Sequence, residues 1–406
     1  MMVKRQLEAK KAMEGRGSYK LHDEISDEEK IDLIEQRYKY NKDGTLKNTY
    51  FNNMEYQYKY NELGLLESKS CSGKTLLEYR YNKNNKIKSI RDISGKRSIY
   101  EYDEEDRVIC IKDNEEKVSA EYEYYNNDKV KKVVLGNGIE TKYTYDGEDN
   151  VTRLITITPS GEVLIDYKYA YDLNGNRIEK IGNKHKAYYG YDSMNRVVEG
   201  NYDGRKEEYT YDKVGNRLTK TTNEFTEKYC YNIKNQLKEV YKEEGNSNNI
   251  HCKMWSFTYD KQGNTIKEET NIGSNTYEYN CLNQQIKAKT KEGNTLVNRY
   301  DSEGLRYEIE ENETLSRFIF NKNGDILVET DKEDNVVSRF TRGYDIVAAD
   351  VENKKYYYNV DEQGSTNLIT DKYGKINNEY WYDAFGNILS SKENIHNIYY
   401  IGNLLC

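Results

Sequence analysis

Apolar and aromatic positions along this chain recur with period two, in short runs that turn residues interrupt. The pattern is sharpest between 167 and 220, where Tyr169-Ala170-Tyr171-Asp172-Leu173-Asn174-Gly175-Asn176-Arg177-Ile178 is followed by Tyr189-Gly190-Tyr191-Asp192 and by Tyr209-Thr210-Tyr211-Asp212-Lys213-Val214-Gly215-Asn216-Arg217-Leu218. Tyr171, Tyr191 and Tyr211 anchor one unit that returns about every 20 residues, within the range of repeat architectures. Tyr at i and i+2 falls on one face of an extended strand. The Asp that follows starts a turn through its own side chain, and Gly175 or Gly215 supplies the positive φ that a Cβ would disfavour. Arg177-Ile178 and Arg217-Leu218 open the returning strand. Each unit therefore predicts a β-hairpin with a Gly-containing loop of about three to five residues.

The same unit extends in both directions. Before the central stretch stand Tyr38/Tyr40-Asn41, Tyr58/Tyr60-Asn61, Tyr79/Tyr81-Asn82, Tyr100/Tyr102-Asp103 and Tyr143/Tyr145-Asp146. After it come Tyr229/Tyr231-Asn232, Phe257/Tyr259-Asp260, Tyr277/Tyr279-Asn280, Tyr300-Asp301 and Phe318/Phe320-Asn321. Gly44 and Gly64 take the left-handed position, and Asn85 substitutes for Gly in its own unit, since Asn tolerates that conformation. Pro159-Ser160-Gly161 marks one extra hairpin loop, and Glu243–Asn249 reads as a polar insertion. About fifteen units follow one another with no Pro-, Gly- or Ser-rich linker between them. A lone hairpin is marginal in water, and a long sheet must twist and dispose of its edges. The predicted fold is all-β: tandem hairpins forming a curled or spiralling sheet, as a filled solenoid or a hollow shell, with sparse aliphatics and abundant Tyr favouring a thin wall over a thick core. Residues 1–37 lack the repeat and read as a charged leader, helical over Gln6–Met13 and, behind a Ser26-Asp27-Glu28-Glu29 capping box, over 27–35.

Composition narrows the function classes. The chain has 406 residues, 42 of them Tyr, with 33% charged residues and a formal charge of −8. So many aromatics exclude a disordered chain; the Tyr rings supply apolar area, with their hydroxyls expected to be wet. The negative balance argues against a nucleic-acid partner. No apolar run approaches the length of a membrane span, and the first residues have no apolar signal-peptide core. Synthesis in the cytoplasm is expected, with export or surface association left open. Cys71, Cys110, Cys230, Cys252, Cys281 and Cys406 are widely spaced and read as free thiols of a reducing compartment.

Candidate chemistry is sparse. His22, His185, His251 and His396 stand apart, and the adjacent His251 and Cys252, beside Trp255, would point to opposite faces of a strand and chelate poorly. Asp103, Asp146, Asp172, Asp192, Asp212 and Asp260 have a turn-capping role that needs no catalysis. Gly-Asn-Arg lies between strands, unlike a phosphate-binding loop. The sequence therefore singles out no catalytic, cofactor-binding or metal-binding residue, and the expectation is a protein that is not an enzyme.

The repeated Tyr-x-Tyr-Asp-x-x-Gly-Asn-Arg-Leu resembles the YD repeat of the Rhs polymorphic toxins, the shell subunits of Tc toxins and the animal teneurins. Tyr356–Asp371 and Glu379–Asn387 are similar to the Rhs core-associated segment, although Asn359 and Glu362 stand where the family usually has His. The resemblance implies a hollow β cocoon around a C-terminal toxin or effector, built here as a leader over 1–37, a repeat array over 38–350 and a core-associated segment over 351–406. Family members continue into an Asp-Pro self-cleavage motif, whereas Pro159 is the single proline of this chain. The resemblance thus implies a truncated or split shell fragment that does not cleave itself and whose toxin is absent. Strand edges near Tyr38 and Tyr400 are expected to pair with other chains. The expected partner is a protein: a toxin or effector domain, or a complementary shell fragment. A surface adhesin or carbohydrate-binding repeat, with glycans stacked on Tyr169 and Tyr171, is the alternative.

Overall fold

The computed structural model describes residues 36–51, 54–244 and 252–395. These residues form 34 β-strands of one sheet, from Gln36–Tyr40 to Ile388–Glu393, and no helix. Strands that are neighbours in sequence pair antiparallel, as in Val163–Tyr171 with Arg177–Ile181 and Arg205–Tyr211 with Arg217–Thr222. The helical leader expected over 1–37 lies outside the described residues, except that Gln36 and Arg37 open the first strand. Of the expected insertion, Glu243 and Glu244 end the strand Leu237–Glu244, and the remainder is likewise outside. The hairpin pattern passes position 350 unbroken, through Lys354–Val360, Thr366–Asp371, Ile376–Tyr382 and Ile388–Glu393.

The repeat motif builds one kind of turn. Asp172 N–H donates to Asn176 O at 2.9 Å and Gly175 N–H to Asp172 O at 3.0 Å. The Asp172 Oδ1 accepts from the amides of Asn174 and Asn176, each at 2.9 Å. Gly175 has φ +79°, and the register shifts between Ala170 and Tyr171. This is a type I turn closed by a left-handed residue with a bulge, which matches the right-handed twist of the strands. Asn85 takes the same left-handed position at φ 62°, as expected, and Asn195 and Asn235 follow at 59°. Tighter two-residue turns also occur: Asp203 and Gly204 have φ of 53° and 92°, both positive as a type I′ turn requires.

The two tyrosines of each unit have different tasks. The first is buried in several units, where Tyr58, Tyr79, Tyr169, Tyr189 and Tyr209 lie in the core, and half-buried in others such as those of Tyr100, Tyr143 and Tyr229. The second reaches back one hairpin and donates its hydroxyl to the backbone carbonyl that opens the preceding hairpin's return strand. Tyr171 bonds Val151 O at 3.0 Å, Tyr191 bonds Arg177 O at 3.0 Å, Tyr211 bonds Val197 O at 2.7 Å and Tyr231 bonds Arg217 O at 2.9 Å. Tyr81, Tyr102, Tyr145, Tyr259, Tyr300 and Tyr382 repeat the contact. These hydroxyls were expected to face water; instead they lash each hairpin to the one before. A carbonyl at a bulge is left short of ladder partners, and the phenol supplies one.

The strands gather into two compact units. One comprises the described residues up to Lys117 together with Tyr277–Lys289 and Asn294–Phe340; the other comprises Val118–Thr276, Thr290–Gly293 and Thr341–Cys406, as far as these are described. In the first, Leu77, Tyr79 and Ile90 pack with Ile319, Leu327 and Val328. In the second, Ile139, Leu154, Tyr167, Tyr169 and Tyr189 pack with Leu368 and Trp381. Each core thus joins an early run of hairpins to a late one. The late strands Ile326–Thr330 and Thr366–Asp371 are buried at nearly every position, and their continuous Ile-Leu-Val and Leu-Ile runs fit strands covered on both faces. The cores are therefore not built of Tyr alone: Leu77, Ile139, Leu154, Leu368 and Ile369 are fully buried aliphatics.

Candidate functional site

In the second unit, the strand Arg177–Ile181 meets the turn that follows Lys354–Val360. Asp361 starts that turn, its Oδ1 accepting the amides of Gln363 and Ser365 at 3.0 Å each. In several other turns the second carboxylate oxygen is used locally, by the side chain four residues on: Asn176 Nδ2 on Asp172 at 2.9 Å, Arg196 Nε on Asp192 at 2.7 Å, Asn216 Nδ2 on Asp212 at 2.8 Å. At Asp361 the residue four on is Ser365, and Oδ2 instead accepts from Lys180 Nζ at 2.7 Å. Glu362, the next turn residue, lies 3.4 Å from Lys180 Nζ and against the Arg177 guanidinium. Arg177 also donates to Tyr189 Oη at 3.2 Å and to Gln363 Oε1 at 3.3 Å.

Lys180 is a cation enclosed by rings. Its Nζ is 4.8 Å from the Tyr167 centroid, 5.3 Å from Trp381 and 5.9 Å from Tyr169, and only 5% of the residue is exposed. Burial lowers its proton affinity, the Asp361 carboxylate raises it, and the nearby Arg177 lowers it again. Burial pushes the Tyr169 hydroxyl well above its ordinary value, with Asp361 adding to the effect, so it stays a neutral phenol. The cluster is an electrostatic clasp with two cations and two carboxylates already matched. Beside it opens a cavity of about 200 Å³ lined by Tyr143, Tyr344, Asp345 and Asn359 among others.

The first unit docks its late hairpins by the same device. In the turn Asp301–Gly304, Ser302 Oγ lies 2.5 Å from Thr49 Oγ1, and Glu303 accepts from Tyr58 Oη at 2.6 Å and Lys69 Nζ at 2.5 Å. Arg339 grips Asp92 and donates to Ser98 Oγ at 3.1 Å, all three buried. In the second unit, the turn at Asp383 places Ala384 N–H 2.9 Å from Tyr202 Oη and the Phe385 ring edge-on to Tyr209 at 5.0 Å. At these late turns the variable residues Ser302, Glu303, Glu362, Ala384 and Phe385 dock, joined at one of them by the turn aspartate Asp361 itself, a role the repeat pattern alone does not display.

The turn aspartates named from sequence behave as turn caps: Asp103, Asp146, Asp172, Asp192, Asp212 and Asp260 each accept backbone amides of their own turn. Of the four histidines, His185 alone falls among the described residues. Its Nδ1 lies 2.7 Å from Asp203 Oδ2 and its ring stacks on Trp381 at 4.9 Å, a pairing the isolated sequence position gave no sign of. Tyr169, offered as a glycan platform, is 6% exposed, and the Tyr171 hydroxyl is held by Val151 O. Among the described residues, Cys71, Cys110, Cys230, Cys252 and Cys281 are in no disulfide. Among the described residues no group of three or more His, Cys, Asp or Glu side chains is placed to hold a metal ion. Asn359 and Glu362, which stand where the resemblance leads one to expect His, line the cavity, and Glu362 also closes the clasp.

Comparison with known structures places this architecture. A chain in the Tc holotoxin pore of Photorhabdus luminescens superposes with a TM-score of 0.70 at 15% identity, over 91% of this chain and 22% of that one. The crystal structure of TcdB2-TccC3 gives 0.59 at 13% identity, over 91% of this chain and 23% of its counterpart. At these identities the likeness is one of fold. Among curated proteins, the tRNA nuclease WapA of Bacillus subtilis is 30% identical and the tRNA3(Ser)-specific nuclease WapA of Bacillus spizizenii 29% identical, each over 92 residues. Those matches cover 22% of this chain and 4% of the relatives, too small a share to carry their nuclease activity here. The family model described as Teneurin YD-shell matches residues 184–405, more than half of the chain. With the hairpin repeat and its tyrosine lashing running into and through the matched residues, this chain belongs to the teneurin YD-shell family.

Proposed function

We infer that this chain is a stretch of wall in a toxin-delivery protein of the Rhs kind, enclosing or carrying a toxin domain and catalysing nothing itself. The observation that carries the reading is the fold likeness to Tc toxin structures over 91% of the chain. The local architecture supports it. A wall must stay closed along its length, and here every joint between successive motif hairpins of the central stretch is tied by a tyrosine hydroxyl to a backbone carbonyl. The turn aspartates Asp103, Asp146, Asp172, Asp192, Asp212 and Asp260 are held as acceptors by amides of their own turns, which is the work of a scaffold.

The partner in this reading is a protein: the carried toxin, or a complementary segment of shell. Co-expression with the polypeptide encoded directly downstream, followed by limited proteolysis of the purified complex, tests it. The carried polypeptide should survive protease at concentrations that digest it when free. Failure to co-purify, or digestion at the rate of the free polypeptide, would remove the encapsulating role.

A further inference from the structure

The cavity in the second unit holds features that the wall function does not use. Its volume of about 200 Å³ is room for roughly six waters at about 30 Å³ each. Aliphatic side chains of Val133, Leu135 and Val151 form part of the lining, and the rings of Tyr122, Tyr143 and Tyr344 another part. On the strand Lys354–Val360, Asn359 opposes Leu368, which belongs to the core shared with Ile139 and Leu154. Asn359 therefore lies on the face turned toward those early strands, and it lines the cavity. It is 3% exposed, yet neither the nitrogen nor the oxygen of its amide has a partner. A buried polar group without a partner is costly, so a site that keeps one is shaped for something that bonds to it.

Charge selects the kind of ligand. No lysine or arginine lines the cavity, whereas Asp345, Asp361 and Glu362 do. Asp361 and Glu362 are matched by Lys180 and Arg177. Asp345 is not bridged in this way; burial raises its proton affinity, with Arg342 acting against that through space and Asp361 adding to it. Asp345 and Tyr344 are exposed, which puts a carboxylate and an aromatic face at the mouth and an amide oxygen in the buried part. Aromatic faces and a carboxylate together attract a cation, while the aliphatic lining accommodates a carbon stem.

We propose that this cavity is a binding site for a small organic cation with an aliphatic stem, an alkylammonium or alkylguanidinium group. The group is either a free amine or the Lys or Arg side chain of a bound polypeptide, which present the same chemistry. The site does not depend on the wall function, since a chain that carries nothing retains the cavity.

Titration calorimetry of the full chain with n-butylammonium and n-butylguanidinium, with n-pentanol as the neutral control, tests the assignment. One of the cations should bind saturably and about tenfold or more tighter than n-pentanol. Asp345→Asn and Tyr344→Leu, both at the exposed mouth where folding tolerates change, should weaken it by about tenfold. Asn359→Leu should weaken it likewise. Displacement of the bound cation by an unfolded Lys/Arg-rich peptide assigns the site to polypeptide side chains, and binding that such a peptide leaves untouched assigns it to free amines; either supports the proposal. Absence of saturable binding, n-pentanol binding as tightly as the cations, or titrations unchanged in both mouth variants overturns it and leaves the cavity to water.

Discussion

Replacing Asp301 by Asn should stabilise the protein at neutral pH and leave it unchanged in acid. Asp301 is 2% exposed and starts a repeat turn, its Oδ1 accepting the amides of Glu303 and Leu305 at 2.9 Å each. In the turns at Asp172, Asp192 and Asp212 an Asn or Arg four residues on binds the second oxygen; here that residue is Leu305, which has nothing to donate from its side chain. Burial pushes the carboxyl from 3.8 up to about 6, opposed by Lys69 and reinforced by Glu303. Between those two values the folded chain holds a proton that the unfolded chain has released, so stability falls as pH rises through that window. Each pH unit crossed costs about 1.4 kcal/mol, and the whole window roughly 3 kcal/mol. Asn keeps the accepting oxygen and never ionises. Urea unfolding followed by circular dichroism should therefore show the variant equal to the parent near pH 3 and more stable by up to about 3 kcal/mol near pH 7.5. Asp212→Asn, whose second oxygen is held by Asn216 at 2.8 Å, should show no such gain. A variant less stable than the parent at neutral pH, or a gain that does not change with pH, would refute the reasoning.

Two further substitutions probe the joints. Lys180→Ala strips the cation from between Asp361 and Glu362 and should cost about 3–5 kcal/mol in urea unfolding, the penalty of a buried ion pair broken on one side. A loss under about 1 kcal/mol would mean that the carboxylates are hydrated and the clasp is loose. Tyr211→Phe removes a hydroxyl that donates to Val197 O at 2.7 Å and should cost about 1 kcal/mol. Tyr188→Phe, at a ring 41% exposed, should be neutral, and equal losses at the two positions would count against the lashing.

What could be read from sequence alone was local. Period-two tyrosines fix strands, the Asp after them fixes a turn, and Gly175 or Asn85 fixes the left-handed residue, because each acts on its own backbone within a few positions. The family and the all-β class follow from repeating that unit. The residue four after the turn aspartate was also a legible signal, though one that has to be looked for: Asn176 or Asn216 marks a carboxylate satisfied at home, while Leu305 or Ser365 marks one that must find another partner or stay burdened. Even the backward reach of the second tyrosine is local, one hairpin long, and needed only the recognition that a bulge leaves a carbonyl to satisfy. Tertiary structure alone decided which hairpin faces which. Lys180 meets Asp361 across 181 residues of sequence, and Tyr79 supports the amide of Lys322 across 243. The repeat is nearly the same at every step, so its periodicity carries no address; at the late turns the address lies in tip residues such as Ser302, Glu303, Asp361 and Glu362, and complementarity between a tip and a distant strand exists only once the sheet has brought them together.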